Sequence, residues 1–297
     1  MSILVELRPR AYYLPGAVNV GVIATPKDGA ILIDTGGDKS HARKIVKACS
    51  VIGLRPRAIV STHHHADHCG GNDYLIRNLN IPVYAPALES AIISNTILEP
   101  FYLFGGAMPI EPLRDKWLMA PASPVDFKLA EGTVEINRVE LEIIPVPGHA
   151  PAMAAVGCEG VCYCSDGLFG SQILEKYGIP FTADVAQQLE SIERLRESGY
   201  QVYLPAHGEP TENVDALADM NRAAIERAVE AVHLACSPAS ELNEVLARVA
   251  GLLDLRFANI PQFYLMQTTV AAYLAYLTWE GRVAPWLEDN RLWWHQV

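Results

Sequence analysis

The stretch VSTHHHADHCGG, Val60 to Gly71, places four histidines and one aspartate in the six positions His63 to His68, interrupted only by Ala66. The whole chain has nine histidines in 297 residues, so chance surface composition does not account for four of them here. A loop so rich in imidazole constrains the fold because its donors must converge, and convergence needs a rigid support. In an extended segment, side chains two apart share a face, so His63 and His65 can meet one ion while His64 points elsewhere. If the chain then turns at Ala66, Asp67 and His68 reach a second ion. Gly70 and Gly71 would let the backbone tuck in behind them.

Neither ion is complete with these donors, since zinc takes about four ligands. Further donors are therefore expected on loops that follow strands. Three positions fit: His149 in VPGHAP, Asp166 in YCSDGLF and His207 in YLPAHGEP, each after an apolar run and beside glycine or proline. Cys69 adjoins the cluster but is read as packing, as are Cys162 and Cys164 on one face of a strand. His41, His64, His233 and His295 are read as ordinary surface or core histidines.

The rest of the chain supplies a support of the right kind. Half of its residues are hydrophobic and 19% are charged, enough for one large α/β domain with a small appendage. Strand-like runs open the sequence (ILVEL, AVNVGVIAT, AILID). Helical and strand patterns then alternate: a helix over 40–52 with Ser40 as its cap, strand RAIVST, helix NDYLIRNLN, strand VYAP and helix ALESAIISN. Two strand pairs follow, the second turning at Glu159 and Gly160. Next come helix DVAQQLESIERLRES, strand VYLPAHG and a long helix over about 213–235 with Leu217, Met220, Ala224, Ala228 and Val232 on its apolar face. Residues 96–129 break the pattern, being aromatic, proline-rich and longer than ordinary connections, so they either cover the core or form a lid. The expected division is a main body over 1–236 and an extension over 237–297.

A net charge of −11 weighs against nucleic acid and favours a small-molecule substrate. The six cysteines show no C-x-x-C spacing, and the opening residues lack the apolar run of a secretory signal, so a cytoplasmic setting is expected. The uncharged segment from Ala258 to Trp279 contains too many polar residues for a membrane span and reads as a buried helix.

In order, T-H-x-H-x-D-H, P-G-H, an aspartate before an apolar pair and A-H-G, preceded by DTGG from Asp34, resemble the motifs of the metallo-β-lactamase superfamily, across about residues 15–210. The resemblance implies an αββα sandwich with metals at one edge of its two sheets. It implies that His63, His65 and His149 hold one ion, that Asp67, His68 and His207 hold the other, and that Asp166 bridges them. Asp34 would support the site by hydrogen bonding. The implied cofactors are two divalent ions, zinc before iron or manganese.

The implied activity is hydrolysis by a hydroxide bridging the ions, oriented by Asp67. The substrate expected is a carboxylic ester, thioester or lactone. The glutathione-specific members of the family usually carry G-C-G-R after the bridging aspartate and C-G-H-E-Y at the last histidine, where this chain has GLFGSQILEK and PAHGEP. The alternatives are a phosphodiesterase or endoribonuclease, an iron-dependent sulfur dioxygenase, and a ligand-sensing regulator that binds nucleic acid through its extension. Tyr102, Arg114, Lys116 and Trp117 are candidate pocket residues, the two cations suiting an anionic tail on the substrate.

The extension reads as helix, helix and a hairpin turning at Asp289 and Asn290, and resembles a winged helix-turn-helix. Its candidate recognition helix, FYLMQTTVAAYLAYLTWEG, has no lysine or arginine, which weighs against nucleic-acid binding. Tyr273, Tyr276 and Trp279 are expected to pack against the main body or a second subunit of a homodimer.

Overall fold

The computed structural model describes residues 3–297. Two sheets lie face to face between helical layers, so the architecture is the expected αββα sandwich with a mainly helical C-terminal region. The first sheet runs in sequence order: β1 (Val5–Arg8), β2 (Ala11–Leu14), β3 (Val20–Thr25), β4 (Gly29–Ile33), β5 (Arg55–Val60), β6 (Val83–Pro86) and β7 (Phe127–Leu129). It is antiparallel as far as β4 and parallel from there. The second sheet has β8 (Gly132–Ile136), β9 (Val139–Pro145), β10 (Ala154–Cys158), β11 (Val161–Ser165) and β12 (Val202–Pro205), with β11 and β12 parallel.

Alternation along the strands sorts the apolar side chains into layers. Ile23, Ile31, Ile33 and Val60 meet Leu141, Ile143, Val156 and Tyr163 between the sheets. The opposite face of the first sheet, with Val22, Leu32 and Ile59, is covered by Ala42, Ile45 and Cys49 of α1 (Lys39–Val51) and Leu75 of α3 (Asn72–Leu79). The outer face of the second sheet presents Cys162, Cys164 and Tyr203 to α7 (Val185–Glu197) and α8 (Val214–Ala235). Cys162 and Cys164 are thus core residues, and all six cysteines are free and buried.

One strand is added and two local expectations are corrected. Ala11–Leu14, set between Arg10 and Pro15, forms β2 and joins β1 to β3. The cap of α1 is Asp38, whose carboxylate accepts from the backbone amides of Ser40 and His41. In α8, Met220 is exposed and Asn221 takes the inward place, because its amide group bonds both the N–H and the C=O of Phe169. Burying a polar side chain that satisfies two backbone groups outweighs burying a thioether here.

The C-terminal region comprises α9 (Leu242–Leu252), α10 (Ile260–Trp279) and a hairpin of β13 (Val283–Glu288) and β14 (Arg291–Gln296). Asp289 and Asn290 both have positive φ, as a tight hairpin turn requires. Val245, Leu246, Val270, Tyr273 and Leu274 enter the same apolar cluster as α7 and α8. Tyr276 packs at its edge, whereas Trp279, expected against the main body or a second subunit, is 88% exposed in the single chain. No helix among the described residues is long and apolar enough to cross a membrane.

Candidate metal centre

The site forms where the C-terminal ends of parallel strands from both sheets meet. Ile33 pairs with Val60 and Ser165 with Pro205, which sets Asp34 beside the start of the histidine loop and Asp166 beside Ala206 and His207. Hydrogen bonds tie the two edges together: Ala154 donates to Thr62 O at 3.2 Å, and the Thr62 and Ser165 hydroxyls are 2.7 Å apart. Behind the histidines, a short helix α2 (Ala66–Cys69) packs its end onto the DTGG segment. A Cβ on Gly70 would come within 2.2 Å of Gly37 O, and one on Gly71 within 2.5 Å of Thr35 O, so only glycine fits this approach.

The expected donors converge in two sets. Donor atoms of His63, His65, His149 and Asp166 all lie within 4.8 Å of one another, and so do those of Asp67, His68 and His207. Asp166 faces both sets. Its Oδ2 is 3.2 Å from His149 Nε2 and 3.6 Å from His207 Nε2, and its Oδ1 is 3.4 Å from His68 Nε2. Asp67 Oδ2 lies 3.4 Å from His207 Nε2.

The far nitrogen of each imidazole shows which nitrogen is left for a cation. His68 Nδ1 donates to Asp34 Oδ2 at 2.8 Å, and Asp34 also accepts from the Thr62 amide and hydroxyl. His149 Nδ1 donates to Phe181 O and His207 Nδ1 to Ala17 O, each at 2.9 Å. His63 Nδ1 is 3.1 Å from the Thr62 hydroxyl. His63 Nε2, His68 Nε2 and Asp166 Oδ1 are buried without a hydrogen-bond partner among the described residues. His149 Nε2 and His65 Nδ1 face each other across 2.9 Å. Buried lone pairs aimed at one another are costly unless a cation sits among them, so the residues fit a divalent metal.

The electrostatics differ between the two sets: without a metal, burial is overcome by the neighbouring carboxylates, which push His68 and His207 up. Burial, reinforced by the neighbouring imidazoles, pushes His63 and His65 well below the usual histidine range, and burial lowers His149, which keeps these rings neutral as ligation requires. Burial works against ionised Asp166, yet His207 and His68 outweigh it and hold the carboxyl far below its usual range.

Two carboxylates near the site were not anticipated. Glu89, on α4 (Ala87–Ser94), is buried and accepts from His64 N, His64 Nδ1 and Ala152 N. Glu99, on α5 (Leu98–Leu103), is 3% exposed and stands 4.0 Å from His65 Nε2. Each is the lone carboxylate of an apolar helix, a signal present in ALESAIIS and LEPFYL. Phe181 contributes its backbone oxygen as well as its ring, and the former leaves no mark in the sequence.

The insertion divides. Leu103, Leu113 and Leu118 are buried with Phe104 and Phe181 against Tyr264 and Leu265 of α10, so this part covers the core. Tyr102 reaches His64 Nε2 at 3.0 Å. Arg114 is tied to its own loop through Pro109 O, and Trp117 is 70% exposed with Lys116 Nζ over its ring at 4.9 Å. His64 is a buried, fully bonded histidine, and Cys69 is buried with its thiol on His64 O.

This site, able to hold metal at the edge of an αββα sandwich, lies within residues 13–207, which match the family model of the metallo-beta-lactamase superfamily. The chain belongs to that superfamily. It is similar to a hydroxyacylglutathione hydrolase from Nitrosomonas europaea, 30% identical over 54% of this chain and 50% of the relative. An uncharacterized protein of Aquifex aeolicus is 32% identical over 48% of this chain and 60% of the relative. The chain thus spans about half the length of the curated relatives it matches. Its fold, C-terminal region included, matches a beta-lactamase domain protein from Burkholderia ambifaria, with TM-score 0.77, 18% identity and coverage of 99% of this chain and 95% of the other. A metallo-beta-lactamase family protein from Thermus thermophilus gives TM-score 0.74 and 21% identity, with coverage of 98% of this chain and all of the other.

Proposed function

We propose that this chain is a dinuclear metal hydrolase acting on a carboxylic ester, thioester or lactone. The observation that carries the reading is the position of Asp166, whose two oxygens face both donor sets. His63, His65 and His149 would hold one ion, Asp67, His68 and His207 the other, and Asp166 both, with zinc the metal proposed first. When bound, two such ions supply Lewis acidity and bring a water toward neutral pKa.

The protein's own part is to hold the donors in place and to keep the reacting groups away from bulk water. Asp34, Phe181 O and Ala17 O fix the rings of His68, His149 and His207. Asp67, with a side chain 42% exposed, faces the open side and is placed to accept a hydrogen bond from an attacking water. Lys116 and Trp117, both exposed on the insertion, are proposed to meet an anionic or apolar tail of the substrate, with Arg114 beside them. The relatives named hydroxyacylglutathione hydrolases support a thioester among the carbonyl substrates, although the glutathione-specific G-C-G-R and C-G-H-E-Y runs are missing here.

The test is kcat/KM on one metal-loaded preparation with thioesters, lactones, aryl esters, phosphodiesters, single-stranded RNA and a glutathione persulfide. The highest value is expected on a carbonyl substrate. Faster cleavage of phosphodiesters or RNA, or oxygen consumption with the persulfide, would overturn the assignment.

A further inference from the structure

The outward face of α8 is unlike that of a helix left to solvent. Ala216, Met220, Ala223, Arg227, Glu230 and Leu234 follow one another at alternating steps of four and three, the spacing of a coiled-coil seam, and none of them is among the buried residues of the helix. They run along about 27 Å of its length. A solvated helix face is ordinarily polar, yet four of these six positions are apolar. Leu234 is 56% exposed, and Leu252, at the end of α9, is 55% exposed beside it. With Ala231 and Leu253 they line a shallow groove of about 540 Å³, along which Glu226, Arg227 and Glu230 stand.

Two charges interrupt the seam, and they are of opposite sign. Glu230 Oε1 accepts from Arg282 Nη2 at 2.8 Å, which leaves its second oxygen for another donor. Arg222 is paired with Glu193, whereas Arg227 forms no ion pair among the described residues. Consider two copies of α8 laid antiparallel about a twofold axis that passes between Ala228 and Val229. Arg227 then meets the partner's Glu230, and Glu230 meets the partner's Arg227. The same register sets Ala223 against the partner's Leu234, small against large, at both ends. Shifted by one heptad, Ala223 would face the partner's Arg227 and Met220 the partner's Glu230, so both charges would be covered without a counterpart. One register thus satisfies charge and size together, and it does so with the seam's own residues.

We propose that the outward face of α8, with the end of α9, is the interface of a twofold homodimer in which two α8 helices run antiparallel and Arg227 and Glu230 pair reciprocally. The occupant of the groove is a second copy of this chain. This goes beyond the hydrolase reading and does not depend on it.

The experiment is sedimentation equilibrium on the whole, metal-loaded chain over a range of concentrations. The unaltered chain should sediment as a dimer. Arg227→Glu and Glu230→Arg should each weaken association by about tenfold or more, since each sets two pairs of like charges face to face. Metal content and Tm should stay unchanged, because the ion pair to Arg282 is exposed and contributes little. An equimolar mixture of the two single variants should regain the dimer, and so should the double variant, since opposite charges face each other again in both. Leu234→Asp should dissociate it by placing a charge against the partner's Ala223. A monomer at every concentration of the unaltered chain would overturn the inference. So would a dimer that the single variants leave intact, or a mixture that stays monomeric.

Discussion

The two halves of the centre differ in depth. Around His63, the side chains of His149 and Asp166 are 6% and 4% exposed, and His63 itself is fully buried. Around His207, Asp67 is 42% and His207 17% exposed, and only His68 is closed off. The deep half is walled by Phe169 and Phe181, whose rings meet His149. The open half faces solvent at the end of β12. A dry, fully oriented donor set gives up its ion slowly, whereas an open one exchanges it and admits substrate. The two proposed ions are therefore unequal, one structural in character and one exposed to the reaction.

The largest effect expected is from Asp166→Ala, which takes a carboxylate from both halves at once. Metal content should fall in both, and kcat/KM should drop by about a hundredfold or more. Elemental analysis with parallel kinetics checks this, and full occupancy with full activity would remove the bridging role. Next comes an asymmetry. His207→Ala should lose the weakly held ion and keep the other through dialysis against a mild chelator, whereas His63→Ala should lose the resistant one. Equal losses from the two variants would break the comparison.

How much of this the sequence reveals differs between the halves as well. The seven residues that the sequence puts forward, His63, His65, Asp67 and His68 in one loop and His149, Asp166 and His207 after later strands, are brought together in the structure, in both halves. The parts that make the deep half deep are not legible in the sequence. Glu89 and Glu99 act through helices whose docking on the histidine loop depends on tertiary packing, and Phe181 orients His149 through its backbone oxygen as well as meeting it with its ring. The same limit explains Met220 and Asn221 in α8, where periodicity ranks the apolar residue first and a buried backbone bond decides otherwise. It also explains the extension. Helix and hairpin patterns are visible in its sequence, but that Tyr273 and Leu274 share one core with α7 and α8 is a fact of packing.

Two smaller effects sharpen the comparison. Glu99→Gln should weaken chiefly the resistant ion, by about tenfold in affinity, because Glu99 stands 4.0 Å from the far nitrogen of His65. A competition titration against a chromophoric chelator reads this, and weakening of the second ion would count against it. Trp117→Ala should be the mildest change. With the ring mostly in solvent, Tm should stay within the range of surface substitutions, about 0.5 kcal/mol in stability, while KM for a substrate with an anionic or apolar tail rises about threefold. An unchanged KM across tailed and untailed substrates would leave the insertion as a cover for the core alone.

The central claim, two unequal ions held by seven donors around Asp166, is tested most directly by titrating metal-free protein with zinc in the presence of a competing chelator. The account predicts saturation at two ions per chain in two separate steps, with hydrolytic activity following the second. Saturation at one ion, with activity complete at that point, would contradict it.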